Sequence, residues 1–287
     1  MTPVMGALLR LWAAAALAVP MMAAAQDAPP VINPPPTAKD WAAIGKLPDW
    51  SGVWIPDTPD PREMARRTKA NPAPWTEKAA ARIAKQNEDR KAGRPDNIVA
   101  TCLPEGMPTW MMISNNAMEI AMVPGRIYFL GESDGNRLRR IYTDGRPHPA
   151  EPDPTFHGDS IGHWEGDTLV VDTIGILPQV WLATGEASGV PNDGDMHVVE
   201  RIRLTGPDAL TDTLTITAPH VLTRPWTTTR LFNRSRRRDY DIVEGVCLQE
   251  NFTAETDETG DAVFKPQAMR DDGIRKPVDK PTGGEAR

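Results

Sequence analysis

Apolar and polar residues alternate with period two along most of the middle of the chain, and the alternation is broken at turn-forming residues. Met118 to Val123 and Arg126 to Gly131 are two such runs, joined at Pro124-Gly125. Arg137 to Thr143 follows and stops at Asp144-Gly145. Ser160 to Trp164 and Thr168 to Ile174 flank Glu165-Gly166-Asp167. Met196 to Leu204, Leu210 to Thr217, Trp226 to Asn233 and Ile242 to Gln249 continue the series. Runs of this length with turn residues between them read as antiparallel strands. Closing the sheet removes its exposed edges, so the pattern predicts a mainly β protein built as an antiparallel barrel. One segment has helical character, Thr76 to Lys91, alanine-rich and stopped by Gly93-Arg94-Pro95. It lies N-terminal to the alternating runs, and there is no internal repeat.

Because successive side chains of a strand point to opposite faces, parity sorts residues into inside and outside. Met196, Val198, Glu200, Ile202 and Leu204 share one face, which puts Glu200 in an apolar row. Leu210, Asp212, Leu214 and Ile216 share another, opposed by threonines at 211, 213, 215 and 217. The same reasoning points Arg230 inward with Trp226 and Phe232, Arg140 inward with Leu138 and Tyr142, and Glu244 inward with Ile242. A dry core does not hold so many unpaired charges. Two readings follow: an ion-pair network of Arg140 and Arg230 with Glu200, Glu244 and Asp212, or a ligand cavity whose polar groups converge on a small molecule.

The two ends of the chain carry a different signal. Arg10, the apolar run Leu11 to Val19 and the small residues Ala23-Ala24-Ala25 form a secretory leader, cut before Gln26. The apolar run is too short to span a bilayer, which takes about 20 residues, so no stable membrane anchor is expected. Residues 26–48, with Pro34-Pro35-Pro36, read as a Pro-rich linker. Residues 49–253 form one folded domain, and 254–287, polar and aperiodic, a disordered tail. The location expected is periplasmic or secreted.

Charge and cysteine content narrow the partners. The formal net charge of −7 argues against nucleic acid. Cys102 and Cys247 are the only cysteines. In an oxidising compartment they favour one disulfide, worth about 4–5 kcal/mol in the chain-entropy model; two buried free thiols are the alternative. Neither lies in a CxxC or Cys/His cluster, and His157, His163 and His197 lack ligand-pair spacing, so no metal is expected. Phosphate-loop, dinucleotide and haem motifs are absent, and no cofactor is expected. A Ser160/His/Asp triad can be drawn, but without a nucleophile elbow. Trp110-Met111-Met112 and Trp181 either roof an apolar cavity or pack against the core.

Several strings together resemble a secreted bacterial family found in proteobacteria and acidobacteria. They are CLPEGMP from Cys102, RRIYTDGRPH from Arg139, GHWEGDTLVVDT from Gly162, MHVVER from Met196, TRPW from Thr223 and EGVCLQEN ending at Asn251. The likeness covers about Leu47 to Phe252. It implies export, one domain and a bridge between Cys102 and Cys247, and it implies no substrate. Gly52-Val53-Trp54 is similar to the opening motif of lipocalin-like barrels.

The functional expectation is an exported, cofactor-free enzyme doing acid/base chemistry (lyase, isomerase or hydrolase) on a partly apolar or aromatic small molecule. Glu200 would be the acid or base, with His163 or His197 as partner and Asp212 as a second carboxylate. Arg140 and Arg230 would hold an anionic group, with Trp110 and Trp181 against the ligand. A periplasmic binding protein without catalysis and an envelope structural protein are the alternatives. Oligomeric state has no signature in the sequence.

Overall fold

A computed structural model describes residues 34–58, 60–92, 103–113, 116–132, 137–185 and 188–244, with the strand pair at 252–256 and 262–266. The leader, both cysteines and most of the tail lie outside the described residues. Nine strands close into a barrel: β1 (Gly52–Pro56), β2 (Met118–Val123), β3 (Arg126–Gly131), β4 (Leu138–Tyr142), β5 (Asp159–Glu165), β6 (Thr168–Ile174), β9 (His197–Gly206), β10 (Ala209–Thr217) and β11 (Trp226–Arg234). The order round the barrel is β1-β11-β10-β9-β6-β5-β4-β3-β2. Two hairpins stand apart from it: β7 (Trp181–Gly185) with β8 (Ser188–Pro191), and β12 (Phe252–Thr256) with β13 (Ala262–Pro266). The described residues from Pro36 onward belong to one compact unit.

The barrel is mixed rather than wholly antiparallel. β4 and β5 run parallel, meeting at Tyr142 and Ile161. A parallel return needs a crossover of a dozen or more residues, and the connection 143–158 supplies it. It lies across one end of the barrel, where Thr155 bridges to Ile176.

Among the described residues four helices precede or cover the strands: α1 (Ala38–Ile44), α2 (Pro61–Ala70), α3 (Glu77–Lys91) and α4 (Thr109–Ile113). α3 is the helix the sequence predicts, with Thr76 as N-cap accepting from the Ala79 amide at 3.3 Å. α1 has a reciprocal cap between Thr37 and Asp40. α2 begins at Asp60-Pro61, an N-cap followed by proline at the first helical position, inside a proline-rich stretch that reads as irregular. None of the described helices is long and apolar enough to cross a membrane.

Among the described residues, the final predicted run, from Ile242, contributes no barrel strand. Residues 242–244 carry no regular structure, Glu244 is exposed, and the rest of the run lies outside the described residues. β1 completes the barrel instead, pairing with β2 through Trp54 and Met118 and with β11 through Trp54 and Arg234. Its side chains explain why so short a strand suffices. Trp54 is wholly buried, donates Nε1–H to the Trp50 carbonyl at 2.9 Å, and lies 4.6 Å beneath the Arg234 guanidinium.

The inward face of the barrel is filled rather than hollow. Ile120, Ile127, Phe129, Ile141, Leu169 and Val171 are all buried to within 1 % exposure. Ile202, Leu210, Leu214, Ile216 and Phe232 close the other side. Trp50 and Trp164, with ring centroids 5.0 Å apart, cover one end. α4 covers the other, and Trp110 sets how closely: a Cβ on Gly131 would stand 2.5 Å from its ring. Only a glycine lets β3 and the indole approach this far.

Candidate functional site

Parity places Glu200 and Asp212 inside the barrel, and both are 0 % exposed. Their cationic partner is Arg139, not Arg140. In the β3–β4 register Phe129 faces Arg139 and Ile127 faces Ile141, so the inward row of β4 is Arg139 and Ile141. Arg140 is on the outer face and exposed. Leu138 and Tyr142 mislead because they flank Arg140 with apolar bulk, whereas on the outer face Tyr142 serves as a platform for Arg146, at 4.0 Å, and Arg126, at 5.6 Å.

Arg139 makes a two-pronged contact with Glu200. Nη1 donates to Oε1 at 2.8 Å and Nη2 to Oε2. Nη2 also reaches the Ser160 hydroxyl at 3.3 Å and Thr173 at 3.2 Å, and those hydroxyls bond each other at 2.8 Å. The group thus ties β4, β5, β6 and β9 across the interior. Asp212 lies close enough to feel both charges. Burial first, and then the Glu200 carboxylate, push its carboxyl well above the usual range, with Arg139 pulling the other way. One guanidinium with two carboxylates is neutral overall when Asp212 keeps its proton. With no solvent contact, this cluster is a structural tie.

The other predicted site residues do not converge on it. Arg230 stands opposite Asp212 in the β10–β11 register but is only half-buried. Burial lowers its pKa, and the carboxylate that opposes this is Asp57. His163 projects outward from β5 and meets Glu165 at 3.3 Å. Trp181 is half-buried beneath Arg82, at 5.8 Å. Trp110 is buried core packing, with its ring edge-on to His157 at 5.3 Å.

His197 joins a different array, on the outer face. His148, in the crossover, meets Asp159 through Nδ1 at 2.5 Å, and its Nε2 lies 3.4 Å from Asp172. The same Asp172 oxygen takes His197 Nε2 at 2.7 Å. Carboxylates and imidazoles therefore alternate along Asp159, His148, Asp172 and His197, and they pin the crossover to β5 and β6. Among the described residues no group of three or more His, Cys, Asp or Glu side chains is arranged to hold a metal ion.

Beside this array, the crossover, Pro104, β4 and the first residues of β5 line a pocket of about 630 Å³. Its polar lining comes from Arg137, Arg140, Asp153, His157, Asp159 and Ser160. Leu138, Tyr142, Phe156 and three prolines of the surrounding loops, Pro104, Pro149 and Pro152, supply its apolar wall. Gly158 adopts φ +69°, and a Cβ there would lie 2.5 Å from the Ile174 carbonyl oxygen. This tight passage sets His157 and Asp159 on either side of the turn.

His157 is the unusual member. Its ring is largely buried, and neither nitrogen has a hydrogen-bond partner among the described residues. Burial first, then the charges of Arg139 and Arg137, lower its pKa to about 4. The imidazole is consequently neutral across ordinary pH, with one N–H and one bare nitrogen, each costing about 1–3 kcal/mol while unmet. Arg140, on the same pocket, makes no hydrogen bond or ion pair with a described residue. His157-Gly158-Asp159-Ser160 is visible in the sequence as a polar string with a glycine at its centre, but nothing there shows that it borders a cavity.

The fold and the site together define a closed β-barrel with a filled interior and a polar pocket built outside it, between the crossover and the strand ends. Comparison with models of known protein families and with curated proteins finds no match to either.

Proposed function

We propose that this chain takes a small, partly apolar organic acid into the outer pocket and acts on it by cofactor-free acid/base chemistry. The observation that carries this reading is a pocket lined by Arg140, whose guanidinium makes no hydrogen bond or ion pair with a described residue, together with Asp159 and an apolar wall. A guanidinium that pairs with no described residue is suited to a carboxylate, and the apolar wall is suited to the body of the molecule. Asp159, on the same lining, is the carboxylate for proton transfer. The N-terminal leader supports an exported, periplasmic setting, and N-terminal sequencing of protein recovered from the periplasm tests it: the mature chain should begin at Gln26.

One observation favours capture without turnover. His157, with its ring nitrogens sealed from the pocket and its pKa lowered to about 4, is poorly suited to proton transfer near neutral pH. Both readings are tested by proton NMR of small arene and alkane carboxylates mixed with the protein. Carboxylates should broaden on binding and shift the His157 ring signals, and Arg140→Ala should weaken this roughly tenfold. New product signals that vanish in Asp159→Asn identify an enzyme; tight binding without new signals identifies a carrier. Ligands that leave the His157 signals unmoved sink the assignment of this pocket.

A further inference from the structure

We propose that His148 is a pH-sensitive latch on the crossover: doubly protonated, it fastens this segment to β5 and β6 at once, and on losing its Nε2 proton it lets the segment lift. Little else ties the segment down. Thr143 donates to the Gly125 carbonyl and Thr155 to that of Gly175, but between them no backbone–backbone hydrogen bond is made among the described residues. The Arg146 guanidinium hydrogen-bonds to Asp144, within the same span, and stacks on Tyr142. Among the described residues of the span, His148 alone hydrogen-bonds or ion-pairs with side chains of later barrel strands. Residues 149–158 supply half of the pocket lining, so what holds the crossover also holds the pocket wall.

A count of donors sets the protonation state of the fastened form. Nδ1 lies 2.5 Å from Asp159, and Nε2 lies 3.4 Å from Asp172. An ionised carboxylate only accepts, and a neutral imidazole has a single N–H. Neutral His148 therefore answers one carboxylate, the nearer Asp159, and turns a bare nitrogen on the other. Nε2 is sealed from water and has no hydrogen-bond partner, so nothing relieves that contact. Carrying a proton, the same nitrogen is within ion-pair reach of Asp172. Its proton passes to solvent as the segment lifts, so fastening weakens as pH rises.

The charges around the ring come from several elements. Asp159 belongs to β5 and Asp172 to β6, and His197 of β9 shares the same Asp172 oxygen. Arg146 of the crossover acts on Asp159, and Arg140 and Tyr142 of β4 border the same pocket as Asp159. Glu151 and Asp153, further along the crossover, are exposed. Two imidazoliums balance the two carboxylates of the array; two neutral rings leave it with two negative charges. The latch does not depend on what the pocket binds.

The test is backbone carbon-13 relaxation of residues 146–153 in the purified protein at about pH 5.5 and about pH 8, on either side of the ordinary histidine range. Nitrogen-15 spectra of the His148 ring accompany it. At the lower pH both ring nitrogens should carry protons, and the segment should be ordered, with order parameters of about 0.85. At the higher pH Nε2 should be bare and the order parameters should fall below about 0.6. His148→Gln, which has no proton to lose, should give the same values at both pH settings. Asp172→Asn offers an amide N–H to the bare nitrogen, so its segment should stay ordered at the higher pH. Thermal melting shows that both variants fold. Equal order in the wild type at both settings overturns the proposal, as does an ordered segment with only one ring nitrogen protonated. A loss of order at the higher pH that persists in His148→Gln overturns it as well.

Discussion

Replacing Arg139 by methionine tests whether the barrel interior is a sealed core. The side chain is 1 % exposed, and its removal leaves the Glu200 carboxylate without a counter-charge and Ser160 and Thr173 without their shared donor. Breaking a buried pair by removing one member costs about 3–5 kcal/mol, because the remaining charge stays in a medium that cannot solvate it. For a domain of this size, such a loss lowers the melting temperature by about 6–20 °C. The companion variant is Arg139→Met with Glu200→Gln, which removes both charges. It should recover most of the loss, since Ser160 and Thr173 still bond each other and Asp212 no longer faces a carboxylate. Urea unfolding at neutral pH, read by tryptophan fluorescence, supplies both numbers. If Arg139→Met costs less than about 1 kcal/mol, Glu200 behaves as a surface carboxylate, water enters the barrel, and the structural reading of the cluster is wrong.

Three further predictions concern Gly131, His148 and the titrating pair His157 and Asp212. Gly131→Ala forces a Cβ against the Trp110 ring and should cost about 1–3 kcal/mol in the same assay, with a change in the His157 ring signals because the two rings touch. His148→Ala unpins the crossover from Asp159 and Asp172, so amide exchange should accelerate across 149–158 while β9 and β10 stay protected. Uniform protection of that loop in the variant would show that its proline and backbone contacts hold it alone. The pH dependence of stability has two opposed parts. Below about pH 6.5 the unfolded chain protonates His157 while the native protein refuses the proton until about pH 4, so stability falls as pH drops through this window; His157→Gln should remove that fall. Asp212 retains a proton that the unfolded chain releases above pH 3.8, so stability falls as pH rises from there; Asp212→Asn should flatten that side and stabilise the protein at neutral pH.

What could be read in the sequence depended on how uneven the two faces of each strand are. On β9 and β10 the inner rows are apolar and the outer rows are charged or hydroxylated, so Glu200 and Asp212 stood out as inward carboxylates and the structure puts them there. On β4 both rows carry an arginine and an apolar residue, and parity alone cannot choose between them; the choice is made by Phe129 and Ile127 on the neighbouring strand. β1 was hidden because its partners lie far along the chain, and the final run looked like a strand because its alternation is sound although residues 242–244 pair with no barrel strand.

The pocket was not legible for a related reason. It is made where a parallel crossover folds over the strand ends, and no periodicity marks a crossover. This also changes where function should be sought. Inward charges in a barrel ordinarily point to a ligand inside it, but here Arg139 and Glu200 pair with each other, and large side chains occupy the remaining space. Arg139 links the two regions: its guanidinium secures Glu200, and its charge adds to burial, the larger cause, in lowering the His157 pKa. A structural tie can therefore tune the outer site without touching a ligand. Arg139→Met together with Glu200→Gln should raise the His157 pKa above about 4 and leave the pocket lining in place, a change visible in the pH titration of the ring signals.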